Sequence, residues 1–169
     1  MGLFNFFTRK ADPVTVYSGN NNSFEILNEG ILFEETHILL KWGTDIEETI
    51  KAVQGRKERR SDRTIYHWGE HTILNGLTLD LTTVYWDHIA GDDVKRFTHI
   101  EFLSMGDQHA EKQLELITAH LEKQQGPPVK GKLNEPDISL GWKTKGVIFS
   151  LEYYERYAYK LHFEIKRII

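Results

Sequence analysis

Cysteine is absent from the 169 residues, which excludes a disulfide framework, thiolate nucleophiles and Cys-ligated zinc. A reducing cytoplasm permits that composition, and a cytoplasmic address is expected. Long apolar runs are also missing. None approaches the roughly 20 residues a membrane-spanning helix needs, so stable membrane insertion is not expected. The first ten residues are too short for a signal peptide and carry Arg9 and Lys10 after their apolar stretch, not before it. Phe6 stands where a myristoylation signal needs Ser or Thr. Residues 1–12 therefore read as a short apolar arm ahead of a single domain at 13–169.

A large excess of either charge is missing as well. With 21 Lys and Arg against 25 Asp and Glu, the formal net charge of −4 gives no global attraction to nucleic acid or anionic lipid. The cations between Arg56 and Arg63 are broken by Glu58 and Asp62 and have no interleaved aromatic platforms. That stretch reads as a solvated loop, and no nucleic-acid partner is expected. No Gly-x-Ser-x-Gly occurs, so Ser104 and Ser150 lack a nucleophile's context. Walker and dinucleotide glycine patterns are missing too, and no cofactor is expected.

What the chain does have is alternation. Val147, Phe149, Leu151 and Tyr153 alternate with Ile148, Ser150, Glu152 and Tyr154. After a turn at 155–157, Leu161, Phe163 and Ile165 alternate with Lys160, His162, Glu164 and Lys166. A period of two buries one set and wets the other, which predicts an antiparallel hairpin covered on one face. Further strands are expected at 14–17, 24–27, 31–42, 64–68, 72–74, 77–86, 97–103 and 138–142. The residues Gly69, Glu70 and His71 read as a turn.

Two helices are expected. The first runs from about 45 to 54, with Thr44 as N-cap, Glu47 completing a capping box and Gly55 as the stop. The second spans 108–125, with Asp107 as cap, Leu114, Ile117 and Leu121 on one face, and Gly126-Pro127-Pro128 ending it. Each helix is followed by a polar loop and a run of strands. The expected fold class is accordingly α+β: two helix-plus-antiparallel-meander units packed as one compact domain, with repeats at 31–104 and 105–169.

Three groups of residues are candidates for chemistry or binding. His67, Glu70 and His71 spell H-x-x-E-H, the ligand and base spacing of inverted-motif zinc peptidases. That spacing works on a helix, where both imidazoles share a face. The β-branched and aromatic flanks here argue for a strand, so no metal is expected. Tyr154, Arg156 and Tyr157 gather aromatic area and a guanidinium on the terminal turn, a combination enriched at binding hot spots, and form the first candidate partner surface. His99, Glu101, His162 and Glu164 fall on the polar sides of their strands and form an alternative surface on the exposed sheet face.

The doubled order of helix and meander, in a small acidic chain without cysteine, resembles the tandem-repeat inhibitor and immunity-type proteins of bacteria, with the β-lactamase-inhibitor architecture nearest. The resemblance spans roughly 31–167, rests on element order, and departs from that group in lacking disulfides and a secretion signal. It implies a non-catalytic module that binds a protein partner, as a toxin-neutralising immunity protein does. The alternatives are a small metal-dependent hydrolase using His67, Glu70 and His71, and a structural or assembly subunit. Oligomeric state is left open.

Overall fold

The computed structural model describes residues 12–19, 22–87, 95–131, 137–144, 146–154 and 159–168. Strands take up half of the described residues and helix about a fifth. Among the described residues the strands are β1 (Val14–Val16), β2 (Gly30–Phe33), β3 (Ile38–Lys41), β4 (Arg56–Arg59), β5 (Arg63–Ile73), β6 (Leu77–Trp86), β7 (His99–Met105), β8 (Val129–Lys130), β9 (Ile138–Thr144), β10 (Val147–Tyr153) and β11 (Tyr159–Arg167). Two helices interrupt them, α1 (Ile46–Ala52) and α2 (Asp107–Gln125).

All pairings are antiparallel. One sheet has the order β1-β3-β2, and the other has the order β4-β5-β6-β7-β11-β10-β9-β8. The expected α+β class is thus corrected to a β-rich fold. The first helix shrinks to seven residues, and the strand expected at 31–42 divides into β2 and β3, which form a three-stranded sheet with β1.

The C-terminal hairpin forms as its alternation predicts. Leu151 pairs with Phe163 and Phe149 with Ile165, and these side chains are fully buried. Phe149 and Phe163 stack with ring planes 4° apart and centroids 6.4 Å apart. The hairpin is not an edge: β11 pairs with β7 on its other side, so it lies in the middle of the large sheet. One face of that sheet is covered by α2, which packs on β7, β10 and β11 through Ala110, Ile117 and Leu121, and by the small sheet, whose β2 packs on β5. Trp42 stacks on Phe97 and Trp68 meets the same ring edge-on, tying the small sheet's end to the large one.

Several local expectations are corrected. Residues 24–27 form part of a turn, since Gly30 N–H and Glu29 N–H both return to the Ile26 carbonyl. The stretch 31–42 is a hairpin, β2 and β3, that turns at 34–37. Its opening residue must be glycine, because a Cβ on Gly30 would lie 1.9 Å from the Leu40 carbonyl oxygen. Asp45, not Thr44, caps α1: its carboxylate accepts from Glu47 N–H at 2.9 Å, while the Thr44 hydroxyl donates to Lys41 O. Gly106, not Asp107, is the N-cap of α2.

The charged stretch expected as a loop contains β4, an edge strand held by main-chain pairing with β5. Its four charged side chains protect an edge that would otherwise recruit other strands. The expected turn at Gly69-Glu70-His71 is continuous strand. A bulge between His67 and Gly69 absorbs the extra residue, with Gly69 at φ +94. The apolar arm expected at 1–12 lies outside the described residues except for Asp12.

Candidate functional site

Cross-strand partners share a face of a sheet, and this assigns the second face of the large sheet. Glu101 is opposite Glu164, and His99 is opposite Lys166. On β10, Ser150 faces Glu164 and Glu152 faces His162. On β6 the same side carries Thr82, Val84 and Trp86, and on β5 it carries Arg63, Ile65 and His67. Among the described residues no element packs over this face, and most of its side chains are half-buried or exposed. The structure therefore brings His99, Glu101, His162 and Glu164 onto one open surface.

The centre of that surface is a cleft made where β6 and β7 part. Their ladder retains only the Thr82–Glu101 pair. Beyond it, side chains take over the duties of the backbone. The Val84 N–H donates to Glu101 Oε1 at 2.7 Å, and His99 Nε2 donates to Val84 O at 3.2 Å. The carbonyl of His99 accepts the Thr83 hydroxyl at 2.9 Å. These substitutions satisfy polar groups that strand separation would otherwise leave unpaired.

Two connected lobes result, with cavity volumes of about 460 and 330 Å³, sharing Val84, Trp86, Glu101 and His162. The larger lobe runs toward Glu164 and Lys166. The smaller runs toward Arg60, Arg63 and His67 over Ile65 and Leu103. Trp86 stands at the rim, 39% exposed, with the Arg63 guanidinium 4.7 Å from its ring centre.

Glu101 is the anchor of the site. It is only 8% exposed, and its second oxygen accepts from His162 Nε2 at 2.9 Å. The two histidines beside it are driven apart. Burial lowers His162, but the hydrogen bond and charge of Glu101, helped by Glu164 and Glu152, outweigh it and hold the imidazole above its ordinary value. Burial dominates at His99 and holds it below, despite the nearby Glu101 and Glu164. A neutral His99 suits its bonds: one nitrogen donates to the Val84 carbonyl and the other can accept from the Thr98 hydroxyl at 3.2 Å.

The other candidates fare differently. His67 faces the open side and pairs with Glu58 at 3.1 Å. His71, past the bulge, lies opposite Leu79 on the covered side, stacked on Phe33 with centroids 3.6 Å apart and bonded to Glu35. Glu70 is exposed opposite Asp80. The two imidazoles of H-x-x-E-H thus point to opposite faces. Among the described residues no group of three His, Asp or Glu side chains converges as a metal site. Tyr154 is half-buried at the end of β10, its hydroxyl donating to Glu152, while Arg156 and Tyr157 lie outside the described residues.

Sequence reasoning missed Arg63, Val84 and Trp86 in the cleft. One signal was available: Glu101 is the lone carboxylate in the stretch 97–103, set between the apolar Ile100 and Phe102. The adjacent acids Glu34 and Glu35, which composition alone would leave in solvent, are structural. Glu34 accepts from Ser23 and from Asn75 N–H, and Glu35 from Thr72 N–H, so together they fasten the β2–β3 turn to the β5–β6 hairpin. No protein-family model matches the chain, and neither does any curated protein or solved structure.

Proposed function

We propose that the chain is a non-catalytic protein-binding module whose binding surface is the open face of the eight-stranded sheet, centred on the cleft between β6 and β7. The observation that carries this reading is the cleft itself, a depression in a broad, uncovered face, rimmed by tryptophan and arginine and floored by a buried carboxylate. Protein interfaces favour that arrangement: an aromatic and arginine-rich centre with a recess for an anchor side chain, surrounded by a polar rim. The exposed Ile148 and the half-buried Leu103 extend apolar area to either side.

The polar cluster favours binding over proton transfer. Both oxygens of Glu101 and both nitrogens of His99 are engaged within the protein, so the cluster holds the cleft's shape. A general acid or base would need to turn one of these groups toward a substrate.

The test compares variants on two faces. Thr82→Arg fills the cleft floor, and Glu115→Lys alters the exposed face of α2. A partner captured by the wild-type protein should be lost by folded Thr82→Arg and kept by Glu115→Lys. The reverse pattern, or a wild-type protein that captures nothing from the cell that makes it, overturns the proposal.

A further inference from the structure

We propose that the Asn75-Gly76 turn is a latent site of spontaneous covalent modification, guarded while the chain is folded. Its conversion releases residues 22–25 and the β2–β3 turn from the β5–β6 hairpin. In asparagine followed by glycine a main-chain nitrogen reaches the side-chain amide most easily, because no Cβ on the second residue hinders it. The Gly76 nitrogen gives its proton to water and bonds to Asn75 Cγ. The Cγ–Nδ2 bond breaks, and Nδ2 leaves as ammonia. Water then opens the cyclic imide, at one carbonyl to aspartate and at the other to isoaspartate, in which the main chain runs through Cγ.

The turn joins β5 to β6 just beyond the Ile73–Leu77 pair. All three of its residues have left-handed backbone, with φ +53 at Leu74, +62 at Asn75 and +107 at Gly76. Gly76 is exposed, so water reaches the turn. The guard is the network on Asn75. Its Oδ1 accepts from Ser23 N–H at 2.8 Å, and its Nδ2 donates to Asn22 Oδ1 at 3.1 Å. The partners fix both amides: a main-chain N–H can only donate, and Asn22 Nδ2 is given to Glu25 Oε1 at 2.8 Å. The Asn75 N–H donates to Glu34 Oε1 at 2.5 Å and holds the main chain too. Attack on Cγ bends the planar amide and expels Nδ2. It therefore gives up the bond to Asn22 and disturbs the one to Ser23.

The products undo the same fastening. Aspartate at 75 can still accept from Ser23 N–H, but it has no donor for the Asn22 oxygen and sets a charge beside Glu34. Isoaspartate lengthens the main chain between Ile73 and Leu77. There Leu74 is fully buried and its carbonyl accepts from His120 Nε2 at 2.5 Å, so the contact with α2 is strained as well. None of these residues borders the cleft, and the inference does not depend on what the open face binds.

The experiment incubates the wild-type protein at mildly alkaline pH, folded or in denaturant, and follows conversion of Asn75 by peptide mapping and mass spectrometry. The expected result is conversion in denaturant and a folded-state rate about tenfold lower or more, since two hydrogen bonds resist the attack. Asn22→Ala, folded by circular dichroism, should raise the folded-state rate several-fold. Glu25→Ala, which only frees the Asn22 amide to turn, should raise it less and serves where Asn22→Ala does not fold. Asn75→Asp, a chain carrying one product, should melt earlier than wild type and exchange its amides faster at 22–25, 34–36 and 72–77.

No conversion in denaturant, equal rates folded and denatured, or a folded Asn22→Ala that converts no faster than wild type overturns the proposal. So does an Asn75→Asp chain whose melt and amide exchange match those of the wild type.

Discussion

Replacing Glu101 by alanine removes the group that holds the β6–β7 junction in its parted form. Two bonds are lost, from Val84 N–H at 2.7 Å and from His162 at 2.9 Å. An orphaned, largely buried N–H costs about 1–3 kcal/mol, and a hydrogen bond to a charged group contributes about 1.5–3 kcal/mol. Relief of the opposed Glu164 returns about 0.2–1 kcal/mol. Central values therefore give a net loss of about 3.5 kcal/mol, a large share of a small domain's stability. Denaturant melts at neutral pH measure it. Glu101→Gln, which keeps an acceptor for Val84, should lose clearly less. In the alanine variant, NMR titration should also find His162 lower than in wild type, because its main upward influence is gone while burial remains. A loss below about 1 kcal/mol together with an unmoved His162 would refute the assignment of Glu101 as the anchor.

Phe163→Ala should cost about 3–5 kcal/mol by denaturant melt, since the ring is fully buried against Phe149 and has little room to collapse; a loss under about 1 kcal/mol would contradict the facing of the central hairpin. Asp45→Ala should cost about 1 kcal/mol by removing the cap of α1, and an unchanged melt would mean that α1 does not depend on it. His162 should titrate above the ordinary histidine value and His99 below it, read by NMR, with the opposite order contradicting the burial and pairing described. Linkage fixes the signs. His162 binds its proton more tightly when folded, so its contribution is present below the ordinary histidine pKa and is lost as pH rises through the higher folded value. His99 does the reverse, and stability falls as pH drops from the ordinary value toward the lower folded one.

The hairpin of β10 and β11 was legible because its alternation is complete: every buried position is apolar and every open one is polar, apart from Ile148. The amphipathic stripe of α2 was legible for the same reason at the helical period: of the expected face Ile117 and Leu121 are buried and Leu114 is half-buried, while Ala110 joins them. By contrast, β4 carries Arg-Lys-Glu-Arg and no apolar residue. Its strand state comes from pairing with β5, which no local pattern announces. The bulge in β5 hid a continuous strand behind a glycine and turned His67 and His71 to opposite faces, so a spacing read one residue at a time misled. The cleft was the least legible feature. It depends on where two long strands cease to pair and on side chains replacing main-chain partners, and periodicity is silent on both. Placing His99, Glu101, His162 and Glu164 on one face required only alternation, whereas recognising Trp86 and Arg63 as their neighbours required the sheet order.

Amide hydrogen exchange of the protein with and without its captured partner tests the open face most directly. Protection is predicted at 82–86, 99–103 and 162–166, the three strand segments that border the cleft. Protection confined to α2 or to the three-stranded sheet, with those segments exchanging as before, would contradict the account.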